Sequence, residues 1–252
     1  MSIATRPPLG VLRQFSRAVF ADRLIGDEMM RLTMARVDVD PRASSASVTD
    51  LMSIFLAGWR ALARKAAASG GRPFTDSALL NALPTPPDDD RLVLLLVDVM
   101  GFSVAEAGRI VGIAAPAEAL RRAREALVVH GAPRAVIVED EPLIAADLRG
   151  ILERMGVDVA GEARSADEAV RAARAALPAV ILADYNLDGR ATGIDAVLRI
   201  HQEHDCPVIF ITGYPDRVLQ GEEIEPDFVI SKPYTPDNVR AAVVHCLDAR
   251  RA

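Results

Sequence analysis

The sequence predicts two parts built differently: an all-α helical region over residues 1–132, then an α/β doubly wound domain over residues 133–252. Three observations carry this. The first 130 residues are helix-periodic and contain no convincing strand. After Pro133, short β-branched apolar runs alternate with helix-periodic segments, the pattern of a parallel sheet with helical crossovers. Finally, those runs stop abruptly on polar side chains. Ala179-Val-Ile-Leu-Ala183 stops on Asp184, Ala135-Val-Ile-Val138 on Glu139-Asp140, and Val208-Ile-Phe-Ile211 on Thr212. Phe228-Val-Ile230 leads through Ser231 to Lys232. In an open α/β sheet, ligand chemistry gathers at these carboxyl ends.

Composition narrows the classes. Half of the 252 residues are apolar and a quarter charged, as in ordinary globular chains. No apolar run approaches the ~18 residues of a membrane span. The start, Met1-Ser-Ile-Ala-Thr-Arg-Pro-Pro8, lacks the apolar core of a secretory signal. Cys206 and Cys246 make neither a disulfide framework nor a metal spacing, so the expected home is a reducing cytoplasm. Charge is uneven. Residues 1–132 carry 16 Lys+Arg against 14 Asp+Glu, net +2, and residues 133–252 carry 13 against 21, net −8. Neither half is basic enough for an electrostatic nucleic-acid binder.

In the helical region, Leu9, Leu12, Ser16, Val19 and Phe20 share a face of a first helix, and Asp22 is placed to cap a second. Thr49-Asp50 opens a third, carrying Leu51, Phe55, Trp59 and Leu62, which Ser69-Gly-Gly71 closes. This aromatic stripe reads as helical core, not as a cofactor box. After the break at Pro84-Thr-Pro-Pro87, Asp88-Asp-Asp90 suits a helix N-terminus, and Leu92–Val97 is apolar nearly all round, hence buried. Ser103-Val-Ala-Glu106 is a capping box, followed by a turn at Val111-Gly-Ile113 and a helix from about Pro116 to Val129. His130-Gly-Ala-Pro133 then reads as the whole connection, too short for a tether, so the two domains are expected to pack together.

The second domain continues with a helix over Pro142–Met155, a strand at Val157–Ala160 and a helix opened by the box Ser165-Ala-Asp-Glu168. Helices near Ile194–His204, Asp216–Leu219 and Pro236–Leu247 complete it. His201 and His204 read as surface residues, not as a metal pair. Adjacent strand ends would hold Glu139, Asp140 and Asp184 within a few ångströms. At ~4 Å a like-charge pair costs about 4 kcal/mol at an effective dielectric of ~20. A divalent cation removes that cost, and an all-oxygen set with room for water favours Mg²⁺.

Carboxylate pair, lone Asp, hydroxyl and Lys-Pro, in that order, resemble a response-regulator receiver domain from about Pro133 to the end of the sequence. The resemblance implies the sheet order 2-1-3-4-5 and phosphorylation of Asp184. It implies Mg²⁺ held by Asp140 and Asp184, supported by Glu139 and the carbonyl of Asn186. Lys232 and Mg²⁺ would neutralise the phosphoryl oxygens, and Thr212 would donate its hydroxyl to the aspartyl phosphate. Val229 stands where common receivers carry an aromatic switch residue, and Phe210-Ile-Thr-Gly-Tyr214 places aromatics around Thr212 instead, Tyr214 among the switch residues.

Gly101–Gly108 through Leu120–Arg124 resembles the helix-turn-helix of sigma-factor region 4, and residues 1–130 resemble a reduced sigma factor of regions 2 and 4. The implied parts are 1–72, 73–132 and 133–252. A recognition helix needs polar and basic side chains in its first turns; here these are Ala114, Ala115, Pro116, Ala117, Glu118 and Ala119. Arg121, Arg122 and Arg124 read as a solvated or partner-facing surface, and no specific DNA binding is expected. A sigma-like part ahead of such a receiver resembles the PhyR-type regulators of the general stress response. That implies an anti-anti-sigma factor, not a turnover enzyme, with a sensor histidine kinase as phosphodonor and a NepR-type anti-sigma factor as partner. A DNA-binding regulator, an enzyme using the acidic site and a non-phosphorylated scaffold remain the alternatives.

Overall fold

The computed structural model describes residues 8–20, 23–39, 47–187, 192–215, 218 and 228–249. It divides into two units, Met1–Glu125 and Ala126–Ala252. The periodicity of the first resolves into α1 (Pro8–Val19), α2 (Arg23–Val39) and α3 (Val48–Ala68), packed pairwise. Phe15, Phe20, Phe55 and Trp59 form their core, with Phe20 and Trp59 centroids 4.6 Å apart and Phe15 edge-on to Phe55. Trp59 is fully buried because its indole N–H has a partner, the Pro84 carbonyl at 2.7 Å. Asp22 lies outside the described residues. α3 begins earlier than expected: Ser47 and Asp50 form the capping box, each side chain accepting from the other's backbone N–H.

α4 (Ala78–Asn81) is a single turn, and α5 (Asp89–Leu94) starts on the Asp88 side chain, which accepts from Arg91 N–H. The chain then widens into a π turn, Leu95–Val99, and Leu92 to Leu96 are all buried, as the continuous apolar run requires. α6 (Val104–Val111) carries the Ser103/Glu106 box and ends at Gly112, whose φ of +82° favours glycine. α7 (Pro116–Glu125) follows. A Cβ on Gly108 would lie 2.7 Å from the Pro116 ring, so glycine there lets the two helices of the helix-turn-helix close up.

α7 stops at Glu125, short of the expected Val129. Helical periodicity continues past it in the sequence, but Leu127 is buried off-helix, beside Ile151, Met155, Pro236 and Val244. The connection therefore runs over residues 126–133, longer than the expected His130–Pro133, and is not the short joint from which packed domains were expected.

The second unit contains β1 (Arg134–Val138), α8 (Pro142–Arg154), β2 (Asp158–Ala163), α9 (Ala166–Ala176), β3 (Val180–Ala183), α10 (Gly193–His201), β4 (Val208–Thr212), β5 (Phe228–Ser231) and α11 (Pro236–Ala249). All strand pairs are parallel, in the order β2-β1-β3-β4-β5. Val136, Val138, Ile181, Ala183, Val208 and Phe210 pack with Ala169, Val170, Ala173, Ile194, Val197 and Ile200 of α9 and α10. β2 starts one residue later than expected and runs on to Ala163, and its register with β1 shifts between Ala135 and Val136. At α9 only half of the expected box forms. Ser165 accepts from Glu168 N–H, but the Glu168 carboxylate takes the N–H of Arg164. The expected helix over 216–219 lies outside the described residues apart from Val218.

Candidate phosphoacceptor site

Parallel pairing brings the carboxyl ends of β1, β3, β4 and β5 to one edge of the sheet. β1 ends one residue before Glu139, β3 one before Asp184, β5 one before Lys232, and Thr212 closes β4. Ligand oxygens of Glu139, Asp140 and Asp184 all lie within 4.8 Å of one another. The Lys232 ammonium bridges two of them, 2.9 Å from Glu139 Oε2 and 2.8 Å from Asp184 Oδ2. The Lys232 backbone N–H is itself tied to the Thr212 carbonyl at 2.8 Å, which joins the ends of β4 and β5. On the far side, Asn186 N–H donates to Asp184 Oδ1 at 3.3 Å and fixes the turn that follows the carboxylate.

Burial sets the electrostatics. Glu139 is 2% exposed, and its carboxyl titrates above the usual range because burial disfavours its charge and Asp184 adds repulsion. Burial pushes Lys232 the opposite way, but its hydrogen bonds to Asp184 and Glu139 outweigh that, and it holds its proton more tightly than a free lysine. Three carboxylates against one ammonium leave a surplus of two negative charges when all are ionised. Such a donor set and charge fit a hard divalent cation.

Two other predicted residues, Thr212 and Tyr214, lie at the end of β4. Thr212 is fully buried, and its Oγ1 accepts from Tyr214 N–H at 3.1 Å, leaving the hydroxyl proton free to be donated. The Tyr214 ring is 53% exposed. His201 and His204 each turn Nε2 to a backbone carbonyl, of Cys206 and Pro178, not to each other. One residue that shapes the site is not evident from sequence spacing. A Cβ on Gly193 would overlap the Asp184 carbonyl oxygen, so the start of α10 can approach the Asp184 backbone only as glycine. The clue was the box Thr192-Gly-Ile-Asp195, in which Thr192 and Asp195 cap each other's backbone.

A five-stranded parallel sheet in the order 2-1-3-4-5, with carboxylates, hydroxyl and lysine on successive strand ends, defines a response-regulator receiver. Residues 135–244 match the response regulator receiver domain family. The likeness extends well beyond that domain. The phyllosphere-induced regulator PhyR of Methylorubrum extorquens is 34% identical over 245 residues, 95% of this chain and 91% of that one. The crystal structure of the response regulator PhyR from Brucella abortus superposes with a TM-score of 0.78 at 32% identity, covering 100% of this chain and 96% of its own. The anti-anti-sigma factor PhyR from Bartonella quintana gives 0.75 at 33%, covering 99% and 97%. The chain belongs to the PhyR family of response regulators.

Proposed function

We propose that the protein is a phosphorylation-activated anti-anti-sigma factor and that Asp184 accepts the phosphoryl group. The observation that carries the reading is the Lys232 ammonium held 2.8 Å from an Asp184 oxygen at the acidic strand edge. Among the described residues, the other Asp184 oxygen, Oδ1, takes only the 3.3 Å contact from Asn186 N–H. An Asp184 oxygen attacks phosphorus as the P–N bond of a histidine kinase's phosphohistidine breaks. The departing nitrogen takes the electron pair and a proton, and an acyl phosphate remains. Lys232 neutralises an equatorial oxygen, and Thr212 turns its hydroxyl to the product. Asp140, Asp184, Glu139 and the Asn186 carbonyl would hold Mg²⁺, which supplies charge neutralisation on the phosphoryl group. The chain is a self-modifying switch in the cytoplasm, not a turnover enzyme. No helix among the described residues is long and apolar enough to cross a membrane.

Output runs through residues 1–132, of which 1–72 correspond to sigma region 2 and 73–132 to region 4, with the receiver over 133–252. Phosphorylation frees this sigma-like part to sequester a NepR-type anti-sigma factor, and the stress sigma factor is released. Protein, not DNA, is the partner, and the arginines of α7 support this. Arg121 pairs with Glu118 and Glu125, Arg122 with Asp90, and Arg124 with Asp98. Their charge is spent inside the chain. Intact-mass measurement after incubation with a small phosphodonor and Mg²⁺ tests the acceptor: one phosphate is expected on the wild type and none on Asp184→Ala. A phosphorylated Asp184→Ala protein would overturn the assignment.

A further inference from the structure

Residues 126–129 leave α7 and run over the receiver as a strap. Leu127 is buried although it lies outside any helix, and it lines one groove with Ile151 and Met155 of α8 and Pro236 and Val244 of α11. α8 and α11 pack side by side, so the groove is the seam between them. The next residue, Val128, is 51% exposed, which leaves Leu127 as the anchor. Its seat is incompletely filled. About 430 Å³ of open space remains in the groove, and a side chain beside a void forgoes the contacts missing on that side. Leu127 is therefore held, yet loosely enough to be displaced.

Both walls of the groove begin at the acidic strand edge. α8 opens at Pro142, and the N–H of Glu141 just before it donates to Glu139 Oε1 at 3.3 Å. α11 opens at Pro236, shortly after Lys232, whose ammonium bridges Glu139 and Asp184. The strap itself leads into β1, which ends one residue before Glu139. The bridge from Lys232 to Glu139 thus also sets how α8 and α11 lie against each other. We propose that residues 126–129 are a displaceable strap, seated in the α8–α11 groove while Lys232 bridges Glu139 and Asp184 and released when that bridge is broken. Seated, it leaves only Ala126 between the end of α7 and an anchored side chain; released, it leaves residues 126–133. A change at the strand edge reaches the helical region through this strap. That the change is phosphorylation rests on the reading of Asp184 as phosphoacceptor; that the strap follows the Lys232 bridge does not.

The test uses the full chain and thermolysin, which cuts on the amino side of apolar residues, with each cut located by mass spectrometry. Cutting at Leu127, Val128 or Val129 is expected to be about tenfold faster in Lys232→Gln than in the wild type, an opening eased by about 1.4 kcal/mol. The wild type treated with a small phosphodonor and Mg²⁺ should show a similar gain. Cutting within β2, at the opposite edge of the sheet from β5, should stay slow, which separates release of the strap from global unfolding. Coupling is reciprocal, so emptying the seat must also be felt at Lys232. The lysines are Lys65 and Lys232, and ε-¹³C-lysine labelling gives two side-chain signals, assigned with Lys65→Arg. The Lys232 signal should move in Leu127→Ala and stay in place in Leu127→Met, which keeps the volume. Unchanged strap cutting in a folded Lys232→Gln, or in a wild type that carries phosphate, would overturn the proposal. So would an unmoved Lys232 signal in Leu127→Ala, which decides the matter if Lys232→Gln unfolds. A wild type that takes no phosphate would refute the acceptor reading instead, and the two variants would still decide this one.

Discussion

Lys232 decides the electrostatics of the strand edge, because it is the cation that bridges two buried carboxylates. Its proton is held above the ordinary 10.5, so the stability it contributes is complete below that pH and is lost as pH rises through the folded value. Glu139 is also raised, above 4.5; its favourable contribution is complete below that value and disappears as pH rises and the buried carboxylate ionises. At neutral pH, then, Lys232 compensates what Glu139 costs. Lys232→Met should lower stability by about 3 kcal/mol at pH 7, since removing one partner strands a buried charge. Part of that loss should return at pH 5, where the stranded Glu139 begins to take a proton. Urea midpoints at the two pH values measure it, and a loss independent of pH would contradict the account.

At the scale of elements, two glycines separate close approach from mere flexibility. Gly193 at the start of α10 meets the Asp184 backbone, whereas Gly10 in α1 has nothing among the described residues within 4 Å of the position of a Cβ. Gly193→Ala should destabilise the receiver by about 2 kcal/mol, the usual cost of overpacking, and slow phosphorylation by displacing Asp184. Gly10→Ala should stabilise by about 0.5 kcal/mol through helix propensity and leave phosphorylation alone. Thermal melts and phosphorylation rates of both variants check the opposite signs. The π turn makes a third case. Asp98, 3% exposed, depends on two hydrogen bonds from Arg124, and Arg124→Ala should cost about 2 kcal/mol, less than a fully buried pair because Arg124 is partly exposed. A denaturant midpoint within error of wild type would contradict this. These elements also mark what was legible in the sequence. Strands and acidic ends were legible because an apolar run that stops on a carboxylate is a local signal. Gly193 was not, since it matters through a backbone contact with Asp184 that no periodicity marks. The arginines of α7 were seen as a cluster, but their partners Asp90 and Asp98 lie 32 and 26 residues earlier, and no spacing rule reaches that far. The end of α7 was misplaced for a similar reason: burial of Leu127 overrides the periodicity that continues past Glu125.

Across the whole molecule the charge is divided, net +2 over residues 1–132 and net −8 over 133–252, and the basic side chains of α7 are already paired. A chain so arranged should bind DNA only weakly and without sequence preference, because phosphate contacts alone carry no sequence information. A fluorescence titration that found a sequence-selective complex at physiological salt would contradict this. The switch itself requires energy of definite size. Moving an equilibrium from 1:99 to 99:1 takes about 5.5 kcal/mol of differential stabilisation, and a partner that binds only the minor state gains about a hundredfold in apparent affinity. Thr212 and Lys232 would supply part of that difference, since the Lys232 N–H is bonded to the Thr212 carbonyl and the Lys232 ammonium lies 2.8 Å from Asp184. The most direct measurement is the affinity of the full chain for a recombinant NepR-type anti-sigma factor, by calorimetry, before and after treatment with a small phosphodonor. The account predicts tightening of about a hundredfold in the wild type and none in Asp184→Ala. Equal affinity in both states of the wild type would contradict it.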